Sequence, residues 1–267
     1  MYQMSFIGTG NMGSAIAQAA AKVLPSVDLL LVNRTRAKAE RLAERLGCDV
    51  GDDEQAARES KYVLLGVKPQ MMERVFQKIA PVLQERKDRF LLVTMAAGLT
   101  IERICQLAGG DYPVIRIMPN TPCAIGAGTV LCCKNEAVTE EEYTFFKAAL
   151  QKCGTLVDLP EHLIDAGSAI SGCSPAYVYT FIESMADAGV SCGLTRQDAL
   201  SLAAATVNGA ARMVQESGEH PAQLRDRVCS PGGSTIAGVL SLENDGFRGA
   251  VANCIRAAYE RTKELGK

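Results

Sequence analysis

Gly8-x-Gly10-x-x-Gly13 stands directly after an apolar run at residues 4–7 and opens an alanine-rich stretch of helical pattern. Glycines at this spacing let the chain turn tightly and bring backbone N–H groups close to a pyrophosphate, and the N-terminal end of the helix dipole favours the anion. The pattern in this context points to a dinucleotide, with Gly8 and Gly10 at its phosphates. The end of the second apolar run, at residues 29–32, discriminates between the two nicotinamide dinucleotides. An NAD site places Asp or Glu there, about 20 residues on, to accept from the ribose hydroxyls. Here the residues are Asn33, Arg34, Thr35 and Arg36, and the nearest carboxylate, Asp28, precedes the run and lies at its wrong end. Two guanidiniums and two neutral polar side chains suit the 2′-phosphate of NADPH better than the free ribose of NADH.

Further strand ends carry groups that shape a ligand-binding edge: Val67-Lys68-Pro69, Ala96-Ala97-Gly98 and Met118-Pro119-Asn120-Thr121-Pro122. Small residues and proline-fixed turns let backbone approach a flat nicotinamide ring. In the second half of the chain, Ser230-Pro231-Gly232-Gly233-Ser234-Thr235 precedes a helical pattern. Successive N–H groups at such a start form an anion nest, to which the hydroxyls add donors. Ser171-Gly172-Cys173-Ser174-Pro175 has a similar make-up and reads equally well as an ordinary interhelical turn.

These residues need a frame. Residues 1–160 alternate β-type runs (4–7, 29–32, 62–67, 90–93, 114–118, 129–133 and 156–159) with helical stretches, predicting an α/β fold with a Rossmann doubly wound parallel sheet. Most runs are continuously apolar, as strands buried on both faces should be. Thr139 and Glu142 predict a capping box. After Pro160 the strand signal stops, and helical patterns follow at 176–192, 196–216, 235–242 and 247–265, with Thr195 and Asp198 predicting an N-cap. Residues 161–267 thus form an all-helical second domain. Its alanine-rich helix at 196–216 is apolar around much of its circumference, which predicts a homodimer through this domain.

The composition limits the alternatives. Twenty-eight Lys and Arg against 30 Asp and Glu give a net charge of −2, which leaves no basic field for nucleic acid. Ten cysteines include no C-x-x-C pair, and the two histidines, His162 and His220, are far apart, so no metal site and no Ser-His-Asp arrangement is predicted. With no signal-like leader and no sufficiently long apolar run, a soluble, cytoplasmic protein that spans no membrane is expected.

Read from end to end, the chain resembles pyrroline-5-carboxylate reductase. The resemblance rests on the order Gly8-x-Gly10-x-Met12, Val67-Lys68-Pro69, Ala96-Ala97-Gly98, Met118 to Pro122, Ser171 to Tyr177 and, most specifically, Ser230 to Thr235. It implies NADPH-dependent reduction of 1-pyrroline-5-carboxylate to L-proline, the last step of proline biosynthesis, by hydride transfer to the cyclic imine. NADH is the less favoured cofactor. It also implies a helical domain interlocked with its twin in a dimer, and dimers that assemble into decamers. The cofactor contacts it implies are Ile7, Gly8, Gly10, Asn11, Met12, Asn33 to Arg36, Val67 to Pro69, and Met95, Ala96 and Ala97. Ser230, Gly232, Gly233 and Ser234 would hold the substrate carboxylate, and Thr235 would face the ring nitrogen as the catalytic residue. One departure is Cys173-Ser174, where many members carry Ser-Gly; both pairs are small.

Two other functions fit the two-domain plan. A β-hydroxyacid dehydrogenase employs a catalytic lysine in its helical part, yet no lysine lies between Lys152 and Lys263. A non-catalytic NADP-binding sensor would lack the Ser-Pro-Gly-Gly loop, which is intact here. The final proton donor stays open among several carboxylates and His220.

Overall fold

The computed structural model describes residues 1–265. Its strands are Tyr2–Ile7 (β1), Leu29–Val32 (β2), Asp49–Val50 (β3), Ser60–Leu65 (β4), Leu91–Thr94 (β5), Val114–Pro119 (β6), Gly128–Lys134 (β7) and Gly154–Asp158 (β8). Its α-helices are Asn11–Ala20 (α1), Arg36–Leu46 (α2), Asp53–Glu59 (α3), Met72–Glu85 (α4), Ile101–Ala108 (α5), Glu140–Ala149 (α6), Ile164–Ser171 (α7), Ser174–Ser191 (α8), Arg196–Ser217 (α9), Pro221–Val228 (α10), Ser234–Asn244 (α11) and Phe247–Leu265 (α12). All strands join one sheet in the order β3-β2-β1-β4-β5-β6-β7-β8.

The apolar runs form strands because both faces of the sheet are covered. Met4 and Phe6 of β1 and Tyr62 and Leu64 of β4 point to one core, with Ala15 and Ile16 of α1, Leu42 of α2 and Phe146 of α6. The alternate residues Ile7, Val63 and Leu65 point to the other, with Ala56 of α3, Val75 and Phe76 of α4 and Ile104 of α5. The predicted parallel sheet is present, with one exception: β7 runs antiparallel to β6, with Ile117 opposite Cys132, and β8 is then parallel to β7. The chain between Pro119 and Gly128 is shorter than the dozen or so residues that a parallel crossover needs. The predicted capping box is present: Thr139 Oγ1 accepts from the Glu142 N–H at 3.2 Å, and Glu142 Oε2 accepts from the Thr139 N–H at 3.0 Å.

The chain divides into two units, residues 1–173 with the chain end from Ala258, and Ser174–Ala257. The predicted boundary near 160 coincides with the end of the strands, but α7 still belongs to the sheet. Arg116 of β6, only 2% exposed, bonds Asp165 in the first turn of α7 at 2.7 Å and Glu161 at 3.3 Å. Glu161 also accepts from the Ile101 N–H that opens α5, at 2.7 Å. Of the predicted helical domain, residues 266 and 267 lie outside the described residues.

The second unit is entirely helical among the described residues. Thr195 caps α9 by accepting from the Asp198 N–H at 3.1 Å, as predicted. Inside this unit α8 buries Ala186, α9 buries Ala199 and Ala203 and α11 buries none of its side chains, while Tyr179, Phe181, Leu202, Met213, Val228 and Leu240 are exposed.

Candidate functional site

The carboxyl ends of β1, β2 and β4 border a cleft of about 1160 Å³. It lies where the strand order turns back on itself, with β2 and β4 on either side of β1, the place at which open α/β sheets bind ligands. Gly8 makes the turn out of β1 with φ +102°, and its N–H donates to the Val32 carbonyl at 2.8 Å. A Cβ at Gly8 would come within 2.8 Å of the Gly66 carbonyl carbon, and one at Gly13 would strike the Gly8 carbonyl oxygen. Gly10 differs: no atom lies within 4 Å of the position its Cβ would take. Its missing side chain therefore opens space to the cleft and serves no packing need.

Gly10 is also the N-cap of α1, with no side-chain cap bond and no acid in the first turn. The leading N–H groups of α1 thus keep their donor capacity for an anion. Eight cationic side chains line the cleft against two carboxylates, Asp52 and Asp53. Asp52 is committed to capping α3, accepting from the Gln55 N–H at 2.8 Å, and Asp53 pairs with Lys78 at 2.7 Å. The charge balance and the open glycine fit a multiply charged dinucleotide.

Of the predicted cofactor residues, Ile7, Gly8, Gly10, Asn11, Asn33, Arg34, Thr35, Arg36, Val67 and Lys68 line this cleft. Arg36 also starts α2 and shares its Nε with Glu40 at 2.9 Å. Asn33 turns inward, its amide donating to the Thr35 carbonyl at 3.0 Å. Met12, Pro69, Met95, Ala96 and Ala97 are not among the lining residues. Pro69 opens a 3-10 turn beside a smaller hollow of about 270 Å³, together with Leu99 and Arg103. Met95 to Ala97 leave β5 at the same edge of the sheet, and the Met95 N–H donates to the Leu65 carbonyl at 3.5 Å. Sequence reasoning missed Lys38, Arg41, Arg45, Arg74 and Lys78, which also line the cleft.

The second candidate site lies within the helical unit. Gly232 has φ +68° with no atom within 4 Å of the position its Cβ would take, and Gly233 is the N-cap of α11. Gly233 itself is extended at φ −76°, so the left-handed turn belongs to its neighbour alone. A Cβ on Gly233 would strike Ser230 Oγ. No side chain caps α11 and no acid occupies its first turn, so the N–H groups of Ser234 and Thr235 keep their donor capacity, while the Gly233 N–H closes the turn onto the Ser230 carbonyl at 3.0 Å. Thr235, the second helical residue, is exposed and does not cap the helix. His220 has a structural task as the N-cap of α10, where Nδ1 accepts from the Ala222 N–H at 3.2 Å. Ser171 is the last residue of α7, and its hydroxyl donates back to the Gly167 carbonyl at 3.1 Å.

Among the described residues no group of three or more His, Cys, Asp or Glu is placed to hold a metal ion, and no helix is long and apolar enough to cross a membrane. All ten cysteines are free.

Comparison with known proteins agrees with this geometry. Residues 161–265 match the family model for pyrroline-5-carboxylate reductase dimerisation, and residues 3–98 match that for NADP oxidoreductase, coenzyme F420-dependent. The pyrroline-5-carboxylate reductase of Synechocystis is 40% identical over 99% of this chain and 98% of its own, and that of Escherichia coli is 38% identical over the same shares. The solved pyrroline carboxylate reductase of Plasmodium falciparum, with NADP bound, is 33% identical with a TM-score of 0.88, covering 100% of this chain and 98% of that one. The Coxiella burnetii enzyme is 31% identical with a TM-score of 0.90, covering 100% and 99%. A ketol-acid reductoisomerase at 15% identity shares the fold alone. The chain belongs to the pyrroline-5-carboxylate reductase family and, with it, to the NAD(P)-dependent oxidoreductases.

Proposed function

We propose that this chain reduces 1-pyrroline-5-carboxylate to L-proline with NADPH, in the cytoplasm and as a homodimer that can assemble into decamers. The observation that carries the reading is the full-length kinship of the chain with reductases of this name. The cationic cleft and the open start of α11 support it.

NADPH, when bound, supplies the hydride that reduces the imine carbon. The protein's share is to bind, orient and polarise. Backbone N–H groups from Gly10 to Met12 hold the pyrophosphate, and Arg34 with Thr35 holds the 2′-phosphate. Ile7, Val67, Lys68 and Pro69 border the dinucleotide, and Met95 to Ala97 approach the nicotinamide end. In the helical unit the turn at Gly232 and Gly233, through the N–H groups of Gly232 and Ser234 and with the Ser230 hydroxyl, holds the substrate carboxylate, the Gly233 N–H being spent on the Ser230 carbonyl. The Thr235 hydroxyl donates to the ring nitrogen, which keeps the imine carbon electrophilic. The exposed apolar side chains of this unit favour a second copy as its cover.

The test is NADPH oxidation on addition of the imine, with proline identified as product and activity retained in chelator. Tight NADPH binding without turnover would instead establish the sensor reading. Equal use of NADPH and NADH by the native protein would refute the cofactor preference, and Arg34→Ala should lower the affinity for NADPH while sparing that for NADH.

A further inference from the structure

Six cations on the wall of the dinucleotide cleft have no carboxylate partner among the described residues: Arg34, Lys38, Arg41, Arg45, Lys68 and Arg74. Arg74 comes from a different wall than Arg34. It stands on α4, where Arg74, Val75 and Lys78, with Met71 at the cap just before the helix, line the cleft at the i, i+3, i+4, i+7 spacing of one helix face. Its neighbours on that helix are committed. Lys78 is held by Asp53 at 2.7 Å, and Glu73, next in sequence, turns away to Arg103 at 2.9 Å.

Arg34 follows β2 and α4 follows β4, the two strands that flank β1. A dinucleotide whose pyrophosphate sits on the start of α1 places its adenosine ribose at the end of β2. A 2′-phosphate there carries close to two negative charges at neutral pH and offers three oxygens. Arg34 is free to meet it, but Arg36 already shares its guanidinium with Glu40. Arg41 folds back along α2, its Nε donating to the Ala37 carbonyl at 3.2 Å, and Arg45 stands in the last turn of that helix, away from the end of β2, so a second uncommitted guanidinium comes from another wall. We propose that Arg74 is that group, a specificity-determining residue that closes on the 2′-phosphate from the wall opposite Arg34 and favours NADPH over NADH. The proposal rests on the dinucleotide reading of the cleft.

Calorimetric titration with adenosine 2′,5′-bisphosphate and with 5′-AMP tests it without the nicotinamide. The native protein should prefer the bisphosphate. Arg74→Ala should weaken the bisphosphate about tenfold or more, the effect of losing one charge-assisted contact, and leave 5′-AMP within about twofold. Arg74→Lys should recover part of the loss, because the charge returns without the fork. Arg74 is exposed and unpartnered, so the melting temperature of the free variant should match the native one. Equal weakening of both nucleotides would mean that Arg74 lies against the adenine, and no weakening of either would place it outside the site; each result overturns the proposal. A native protein that does not distinguish the two nucleotides would instead overturn the NADPH preference itself, a failure visible before any variant is made.

Discussion

The carboxamide of Asn120 donates to the carbonyl of Ser171 at 2.9 Å, while its oxygen accepts from the Thr129 N–H at 2.8 Å. One side chain, 8% exposed, thus joins the end of β6 to the end of α7 and the start of β7. Four residues earlier, within β6, Arg116 holds the first turn of α7 through Asp165. The helix is therefore fixed to the sheet at both ends, by one residue within β6 and by the residue that follows the strand.

Asn120→Ala leaves a buried N–H and a helix-end carbonyl without their partner. The expected cost is about 2 kcal/mol, or roughly 4–8 °C in Tm for a unit of this size. Asn120→Asp keeps the acceptor for Thr129 but buries a carboxylate against the Ser171 carbonyl, so its Tm should fall at least as far. A native Tm in both variants would show that the bracket contributes nothing.

Gly8 and Gly10 separate folding from binding. Gly8→Ala puts a side chain at φ +102° and against the Gly66 carbonyl, so the free protein should lose about 1–3 kcal/mol. Gly10 has φ −72° and empty space around it, so Gly10→Ala should cost less than about 1 kcal/mol and still fill the approach to the pyrophosphate. Thermal melts without ligand and NADPH titration should rank the two variants differently. If Gly10→Ala binds NADPH as the native protein does, the pyrophosphate does not sit on α1.

Much of this arrangement was legible because a strand buried on two faces is an apolar run ended by glycine or proline, as with residues 4–7 before Gly8. Other elements carried too little signal. β3 is two residues long, and α7, with the sequence IDAGSAIS, mixes glycine and serine into a single short helix. α10 is capped by a histidine, a residue with no strong capping preference of its own. Lys38, Arg41 and Arg45 read as the solvated face of α2, yet with Leu42 they keep the i, i+3, i+4, i+7 spacing that marks one face, directly after the β2 end where a phosphate was expected. Arg74 had no such neighbour in sequence, because the helix that carries it follows a different strand.

Acid stability depends on a pair that does not line the cleft. Arg89 meets Glu142 with two bonds of 2.8 Å, and together with the Thr139 N–H it holds the carboxyl down at about 2. A carboxylate depressed in the folded state stabilises the fold fully above its unfolded pKa, and that contribution is lost as the pH falls through the folded value. The native protein should therefore lose stability between about pH 5 and pH 2. Glu142→Gln should be less stable than native at pH 7 and approach it toward pH 2, as measured by urea midpoints. A gap that stays constant over this range would remove Glu142 from the acid limb.

Thr235→Val keeps the shape of the side chain and deletes its hydroxyl. Because Gly233, and not Thr235, caps α11, the substitution removes no helix bond, and the Tm should stay close to native. If the hydroxyl polarises the ring nitrogen during hydride transfer, its loss costs a positioned donor, worth about 10²-fold in turnover or roughly 2.7 kcal/mol. The loss should appear in kcat with NADPH affinity unchanged, since the proposed cofactor site is the glycine loop of the other unit. Thr235→Ser returns the hydroxyl without the methyl group and should recover most of the rate. Normal turnover in the valine variant would take Thr235 out of the chemistry, and slow turnover in the serine variant would assign the effect to the methyl group's packing.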